Sequence, residues 1–267
     1  MIVTLEDRAV LRIGGADAAA FLQGLLTQDV EALAPGGSAY AGLLSPQGKA
    51  LFDMILFREA GEAILIDVAA ARAEALAKRL TMYRLRKAVT IAPDAAVVLA
   101  AWGNDAEGRP ADPRAADLGA RWLGAAGQAP AGAEAWARHR LDAGIPDSAD
   151  IGSDDLLWLE TGADLLHGVS FTKGCYVGQE NTARMHHRDK VRRRLLPVAL
   201  GGDPGEATAI VDAAGRSIGT LRSHADGLGI AYLRVEAAAG PLACGCAPVT
   251  VRRKAWAEPA LAEIFSA

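Results

Sequence analysis

The chain of 267 residues is poor in cysteine and in aromatic side chains, and it has no long apolar run. Three cysteines, an odd number, argue against a disulfide framework and fit a reducing compartment. No apolar stretch approaches the roughly 20 residues that a membrane-spanning helix needs. The opening segment MIVTLEDRAVLR carries acids among its first ten residues and no apolar core, which is not the pattern of a secretory signal. These absences predict a soluble, cytoplasmic protein with no membrane partner. The glycine pairs Gly36-Gly37 and Gly201-Gly202 have neither phosphate-loop nor dinucleotide-binding spacing. No C-x-x-C is present either, so a closed zinc site is not signalled.

What remains is ordinary globular composition, 51% hydrophobic and 22% charged, enough for one large domain or two to three small ones. Asp17 to Val30 reads as a helix that Asp17 could cap, with Phe21, Leu22, Leu25 and Leu26 as its apolar stripe. YAGLL, ALFDMILF and AILIDV follow as a three-strand meander, the first two joined by the turn SPQGK. Ala69 to Tyr83 and Ala133 to Ala143 read as helices, VVLAAW as a strand between them, and GNDAEGRPADPRAADLG as a polar excursion between subdomains. From Leu195 five short β runs crowd into about 60 residues, which predicts a small antiparallel barrel or sandwich. The expected fold class is α+β with antiparallel sheets over residues 1–194, then a β module over 195–267.

Net charge is −4, but residues 173–194 carry +5 and the rest −9. A local basic strip on an acidic body fits an anionic small ligand or a docking surface, and argues against direct nucleic-acid binding. Residues 184–194 could act as an RNA- or protein-binding strip, although no interleaved aromatics offer base stacking.

Chemistry concentrates in FTKGCYVGQE, Phe171 to Glu180. Glycines flanking Cys175 let the backbone turn sharply and expose the thiol. A helix starting just after it, together with Lys173, would favour the thiolate; a buried, inert thiol is the plainer alternative. His186 and His187 lie more than 10 Å beyond the start of a helix over 178–188, too far to pair with Cys175 unless the backbone folds back. Cys244 and Cys246 form a lone C-x-C, read as two strand-edge thiols. Asp53, flanked in LFDMILF by Leu51, Ile55 and Phe57 on one strand face, is a carboxylate that needs a partner or has a task.

The run Lys173, Gly174, Cys175, Tyr176, Gly178, Gln179, Glu180 resembles the K-G-C-Y/F-x-G-Q-E signature of the YgfZ family. These are folate-binding relatives of the glycine-cleavage T-protein, an aminomethyltransferase. FLQGLLTQDV, LLSPQGKALFD, DPRAADLGARW and GRSIGTLRS are similar to further family segments, so the likeness spans nearly the whole chain. The resemblance implies an aminomethyltransferase-like, folate-binding N-terminal region and a C-terminal β-barrel. It implies tetrahydrofolate as ligand, and the iron–sulfur assembly machinery and its target enzymes, including radical tRNA-modifying ones, as partners. Cys175 is then the functional thiol with Lys173 beside it, and Asp53, Tyr176, Gln179, Glu180, Arg184 and Arg188 are the candidates for holding folate. No metal site is implied. A true aminomethyltransferase is the enzymatic alternative, but its Asp-Asp pair reads Phe52-Asp53 here, and the transferase lacks the Lys-Gly-Cys signature.

Overall fold

The computed structural model describes residues 1–187 and 191–265. Two antiparallel sheets fill the N-terminal part. The larger takes β2 (Arg8–Gly14), β3 (Ser38–Leu44), β4 (Ala50–Arg58), β5 (Ile64–Ala69) and β6 (Thr90–Asp94) in the order β3-β4-β5-β2-β6. The expected meander is its first half. The smaller orders β1 (Ile2–Thr4), β7 (Val97–Ala101) and β8 (Ala120–Gly124) as β1-β7-β8.

The strands of the larger sheet are apolar on both sides because both sides are covered. One face packs Leu11, Ile13, Met54, Leu56 and Ile66 against α1 (Ala18–Gln23) and α2 (Ala73–Arg84), through Phe21, Leu22, Leu76 and Leu80. The other face turns Ile55 and Tyr40 to the middle of the molecule, where they meet Val98, Trp136 of α3 (Ala133–Ala143), Trp158, and Leu195 and Ile230 from the C-terminal part. Asp53, Ile55 and Phe57 therefore look inward as strand alternation requires, whereas Leu51 belongs to the helix-covered face.

The C-terminal part is a closed antiparallel barrel. Its strands are β9 (Arg193–Leu200), β10 (Ala209–Asp212), β11 (Ser217–Ala225), β12 (Leu228–Arg234), β13 (Leu242–Cys244) and β14 (Ala247–Val251), closed in the order β10-β11-β12-β9-β14-β13. Alternation assigns Leu196, Val198 and Leu200 to the barrel interior and Leu195 to the central core outside it. Closure removes the open edges that a sandwich would leave. The short β13 is the strand missing from the sequence reading; with only three residues it has no legible period. Among the described residues no helix is long and apolar enough to cross a membrane.

Two expectations need correction. The first helix stops at Gln23 rather than Val30, and Asp17 does not cap it; its carboxylate instead accepts from the Ala88 N–H at 2.7 Å. The segment around Asp112 and Arg114 is not an excursion between subdomains: it joins β7 and β8, neighbours in one sheet, and both side chains are buried, joined by a two-pronged ion pair at 2.8 and 3.0 Å.

Candidate functional site: a charged centre and a clamped cysteine loop

Where the two sheets and the barrel meet, charges have been drawn into the interior. Asp67 of β5 is fully buried and bridges two guanidiniums, Arg8 Nε at 2.6 Å and Arg121 Nε at 2.8 Å. Arg8 belongs to the larger sheet and Arg121 to the smaller, so one carboxylate ties the two together. Arg140 of α3 donates to Asp150 at 2.7 Å, and Asp150 also accepts from Ser223 of β11 at 2.5 Å, which extends the network to the barrel.

Asp53 stands beside this network. Its Oδ1 accepts from the Ser148 hydroxyl at 2.6 Å, and Arg8 stands 3.4 Å from that hydroxyl and 3.6 Å from Asp147. Ser148 opens the short helix α4 (Ser148–Ile151), which Asp147 caps by accepting from the Ser148 N–H at 2.6 Å. The two carboxylates are pushed apart. Burial raises Asp53 above the ordinary aspartate value, with Arg8 only partly opposing and Asp147 adding to the rise. Burial acts on Asp147 too, but Arg8, Arg140, Arg114 and Arg121 together pull it well below that value. Tyr40 is buried beside the network, its ring facing Arg114 at 5.9 Å.

The cysteine loop lies between two anchors. Lys173 is buried, and its Nζ donates to three carbonyls, Gln23 at 2.6 Å, Leu26 at 2.7 Å and Gln28 at 2.9 Å. An ammonium has three N–H donors, and all three are spent on the end of α1 and the chain leaving it. This is why the first helix ends early: Lys173 satisfies carbonyls that another helical turn would have used. Burial pulls the Lys173 pKa down to about 8, against the raising pull of Asp29 and Glu31. The expected lysine-assisted thiol is thus replaced by a lysine committed to backbone.

The second anchor is Gly178. At φ +82°, a Cβ there would stand 2.5 Å from the Ser45 carbonyl oxygen, so only glycine lets the loop dock on the SPQGK turn. Gly48 of that turn, also at positive φ, faces Asn181, whose side chain donates to Gln47 O at 3.0 Å. Two of the segments that carry the family likeness therefore touch each other.

Between the anchors Tyr176 folds inward, its ring 5.2 Å from the Lys173 ammonium, and its N–H meets Gln179 Oε1 at 3.3 Å. Gln179 opens α5 (Gln179–His187). Cys175 is exposed and has no hydrogen-bond partner among the described residues. The backbone does fold back, bringing His186 to stack on Phe171 at 3.6 Å, yet no bond reaches Cys175. No cluster of three metal-ligating side chains occurs among the described residues. Cys244 is buried in the barrel and donates to Ala207 O; Cys246 is exposed across the β13–β14 turn.

The structure thus separates the candidates. Lys173, Tyr176 and Gln179 build the cysteine loop; Glu180 is exposed on α5, and Arg184 bonds Asn181 at 2.9 Å. Asp53 belongs to the charged centre, and no hydrogen bond or ion pair joins it to Cys175. Arg188 lies outside the described residues. The basic strip is not one surface, since Arg194 is buried against Asp164 at 2.7 Å and Arg193 covers Tyr232. Asp67, Arg8 and Arg121 were missed, although Asp67 in ILIDV carries the same signal as Asp53, a carboxylate in an apolar strand.

Architecture and sites define an aminomethyltransferase-like fold, its C-terminal barrel included. Residues 5–108 match the GCVT N-terminal domain and residues 192–259 the C-terminal β-barrel domain of CAF17. The solved glycine cleavage system aminomethyltransferase T from Bartonella henselae superposes with a TM-score of 0.78 over 96% of this chain and 85% of its own, at 18% identity, a likeness of fold. In sequence, the chain is 34% identical to the mitochondrial iron–sulfur cluster assembly factor IBA57 of Mus musculus and equally to that of Homo sapiens. Each alignment covers 89% of this chain and 78% of the relative. The chain belongs to the IBA57 family of iron–sulfur cluster assembly factors.

Proposed function

We propose that this protein assists assembly or repair of iron–sulfur clusters in target enzymes, radical tRNA-modifying enzymes among them, with Cys175 as its working thiol and tetrahydrofolate bound in the N-terminal region. The observation that carries this reading is the form of the cysteine loop. Lys173 and Gly178 fix the backbone on either side, Tyr176 is tucked beneath, and Cys175 is left in solvent at the tip with Gly174. Burying the neighbours of a thiol while exposing the thiol itself favours reaction or ligation over packing. A cluster or its iron is the cargo in this reading.

Tetrahydrofolate suits the charged centre by its chemistry. A pterin ring presents paired N–H donors, and Asp53 is a nearly buried carboxylate on the inner face, held from one side by Ser148. When bound, the folate would supply one-carbon or redox chemistry; the chain's own residues bind and orient it. From the basic strip, Arg184 of α5, which also donates to Asn181 at 2.9 Å, is the cation we assign to the anionic tail.

The test has two arms. In a strain lacking the gene, Cys175→Ala should fail to restore iron–sulfur enzyme activity under oxidative stress, and full restoration would end the thiol reading. In vitro, Asp53→Asn should weaken tetrahydrofolate binding about tenfold by titration calorimetry while Cys175→Ala leaves it unchanged, because a buried carboxylate–donor contact is worth more than an exposed neighbour. Equal affinity in Asp53→Asn would remove Asp53 from the folate site.

A further inference from the structure

Helix α2 buries Leu76 and Leu80 against the larger sheet and leaves its outer side to solvent. From Lys78 to Lys87 that side and the following turn hold Lys78, Arg79, Arg84, Arg86 and Lys87 with no acid, +5 in ten residues of a chain whose net charge is −4. Three large apolar side chains stand out in solvent among the described residues, Met1, Met82 and Leu85. Two of them are in this segment, Met82 at 61% exposure and Leu85 at 85%.

Leu85 also carries backbone strain. It follows α2 at φ +49° and ψ −116°, where glycine is the usual occupant. Among the described residues little offsets that strain, since the side chain is 85% exposed. Cations at a helix C-terminus offset the macrodipole, which accounts for the charge of Arg84, Arg86 and Lys87. It does not account for Lys78 midway along the helix, or for a strained leucine facing water. Two acids stand near the patch: Asp17 is bound to the Ala88 N–H, and Glu74, one turn before Lys78, offsets that lysine but not the cations of the helix end.

We propose that the 78–87 surface docks an acidic protein partner, with Leu85 and Met82 entering an apolar depression and the arginines pairing with its carboxylates. An exposed apolar knob ringed by arginine is the anatomy of an interface hot spot. Guanidinium forks match carboxylates in two-pronged geometry. The rest of the chain sums to −9, and the other basic segment, 173–194, is broken up by the burial of Lys173 and Arg194, so an acidic partner is steered to this helix end. A nucleic acid offers phosphates but nothing for Leu85. A bilayer is an extended anionic plane and would bring the acidic body within a Debye length of about 8 Å; a compact protein engages the patch alone. The docking surface is independent of the folate site and of Cys175.

The experiment places the photo-crosslinker benzoylphenylalanine at Met82 in living cells, identifies the adduct, and titrates the purified adduct protein against this chain and its variants. The expected result is a protein of acidic surface whose affinity falls at least about tenfold with Leu85→Asn, as for a hot-spot residue. The melting temperature of Leu85→Asn should hold, because the side chain it replaces is 85% exposed. Arg86→Glu should slow association and flatten its salt dependence. The proposal is overturned by adducts only to RNA, to lipid or to a second copy of this chain, by sedimentation with phosphatidylglycerol vesicles at physiological salt, or by unchanged affinity in both variants.

Discussion

Asp67 and Lys173 are both charges taken out of water, and the fold treats them in opposite ways. Asp67 is met by two guanidiniums from two different sheets, so its charge is cancelled where it lies. Lys173 is met by three carbonyl dipoles, with Asp29 and Glu31 acting only from a distance, and burial brings its pKa down to about 8. The first arrangement joins large, rigid pieces of the molecule; the second fastens one loop to one helix end. Countercharge fixes architecture here, and dipoles fix the presentation of a single thiol.

The sharpest way to break that comparison is at Asp67. Replacing it with alanine leaves Arg8 and Arg121 buried and facing each other, a loss of about 3–5 kcal/mol in urea unfolding, as for other broken buried pairs. A loss near zero would mean that the sheets are held by apolar contact alone. At the cysteine loop, Gly178→Ala puts a methyl group onto the Ser45 carbonyl at a positive φ, and about 2–3 kcal/mol should be lost. Its more telling effect is local: cleavage by protease within 170–178 should become fast while the barrel stays protected.

Lys173→Met should cost less, about 1–2 kcal/mol, because the unsatisfied carbonyls are partly offset by removing a desolvated charge. It should nevertheless change the alkylation rate of Cys175 by iodoacetamide more than the global stability changes. Lys173→Arg should not restore the wild-type rate, since a planar fork cannot aim three N–H groups at carbonyls converging on one point. An alkylation rate identical in all three proteins would show that the loop is held without the lysine.

Much of the fold was legible because it is local. α3 runs from Ala133 to Ala143 as its spacing predicts, ended by Gly144 in the left-handed conformation. The meander, its turn and five of the six barrel strands follow from alternation and from glycine- and proline-rich punctuation. The charged centre was only half legible. Asp53 draws attention in its strand, but its relation to Arg8, Asp147 and Ser148 depends on residues up to 95 positions away in the chain, and no period encodes it. Lys173 was singled out for its neighbour in sequence, whereas its partners are some 145 to 150 residues upstream. The short first helix failed for the same reason, since a tertiary contact overrode a sound apolar stripe.

The smallest expected effect separates two carboxylates within the centre. Asp147 titrates below the ordinary aspartate value of 3.8 in the folded state, so on acidification the unfolded chain takes up its proton first. Stability from Asp147 is therefore full above that value and drains away as pH falls below it. Asp53 titrates above the same value, so the folded chain keeps a proton that the unfolded chain has already released. Its contribution runs the other way, lost as pH rises from 3.8 toward its raised pKa. Urea unfolding across roughly pH 3 to 6 should then show a steep acid limb that flattens in Asp147→Asn, whatever the absolute stability of that variant. Asp53→Asn should instead steepen the net rise of stability with pH just above the ordinary carboxylate range, because the opposing contribution is gone. Parallel pH profiles for wild type and both variants would mean that Arg8 serves the two carboxylates equally, and the centre would then hold a plain pair of ion-paired aspartates with no distinct role for Asp53.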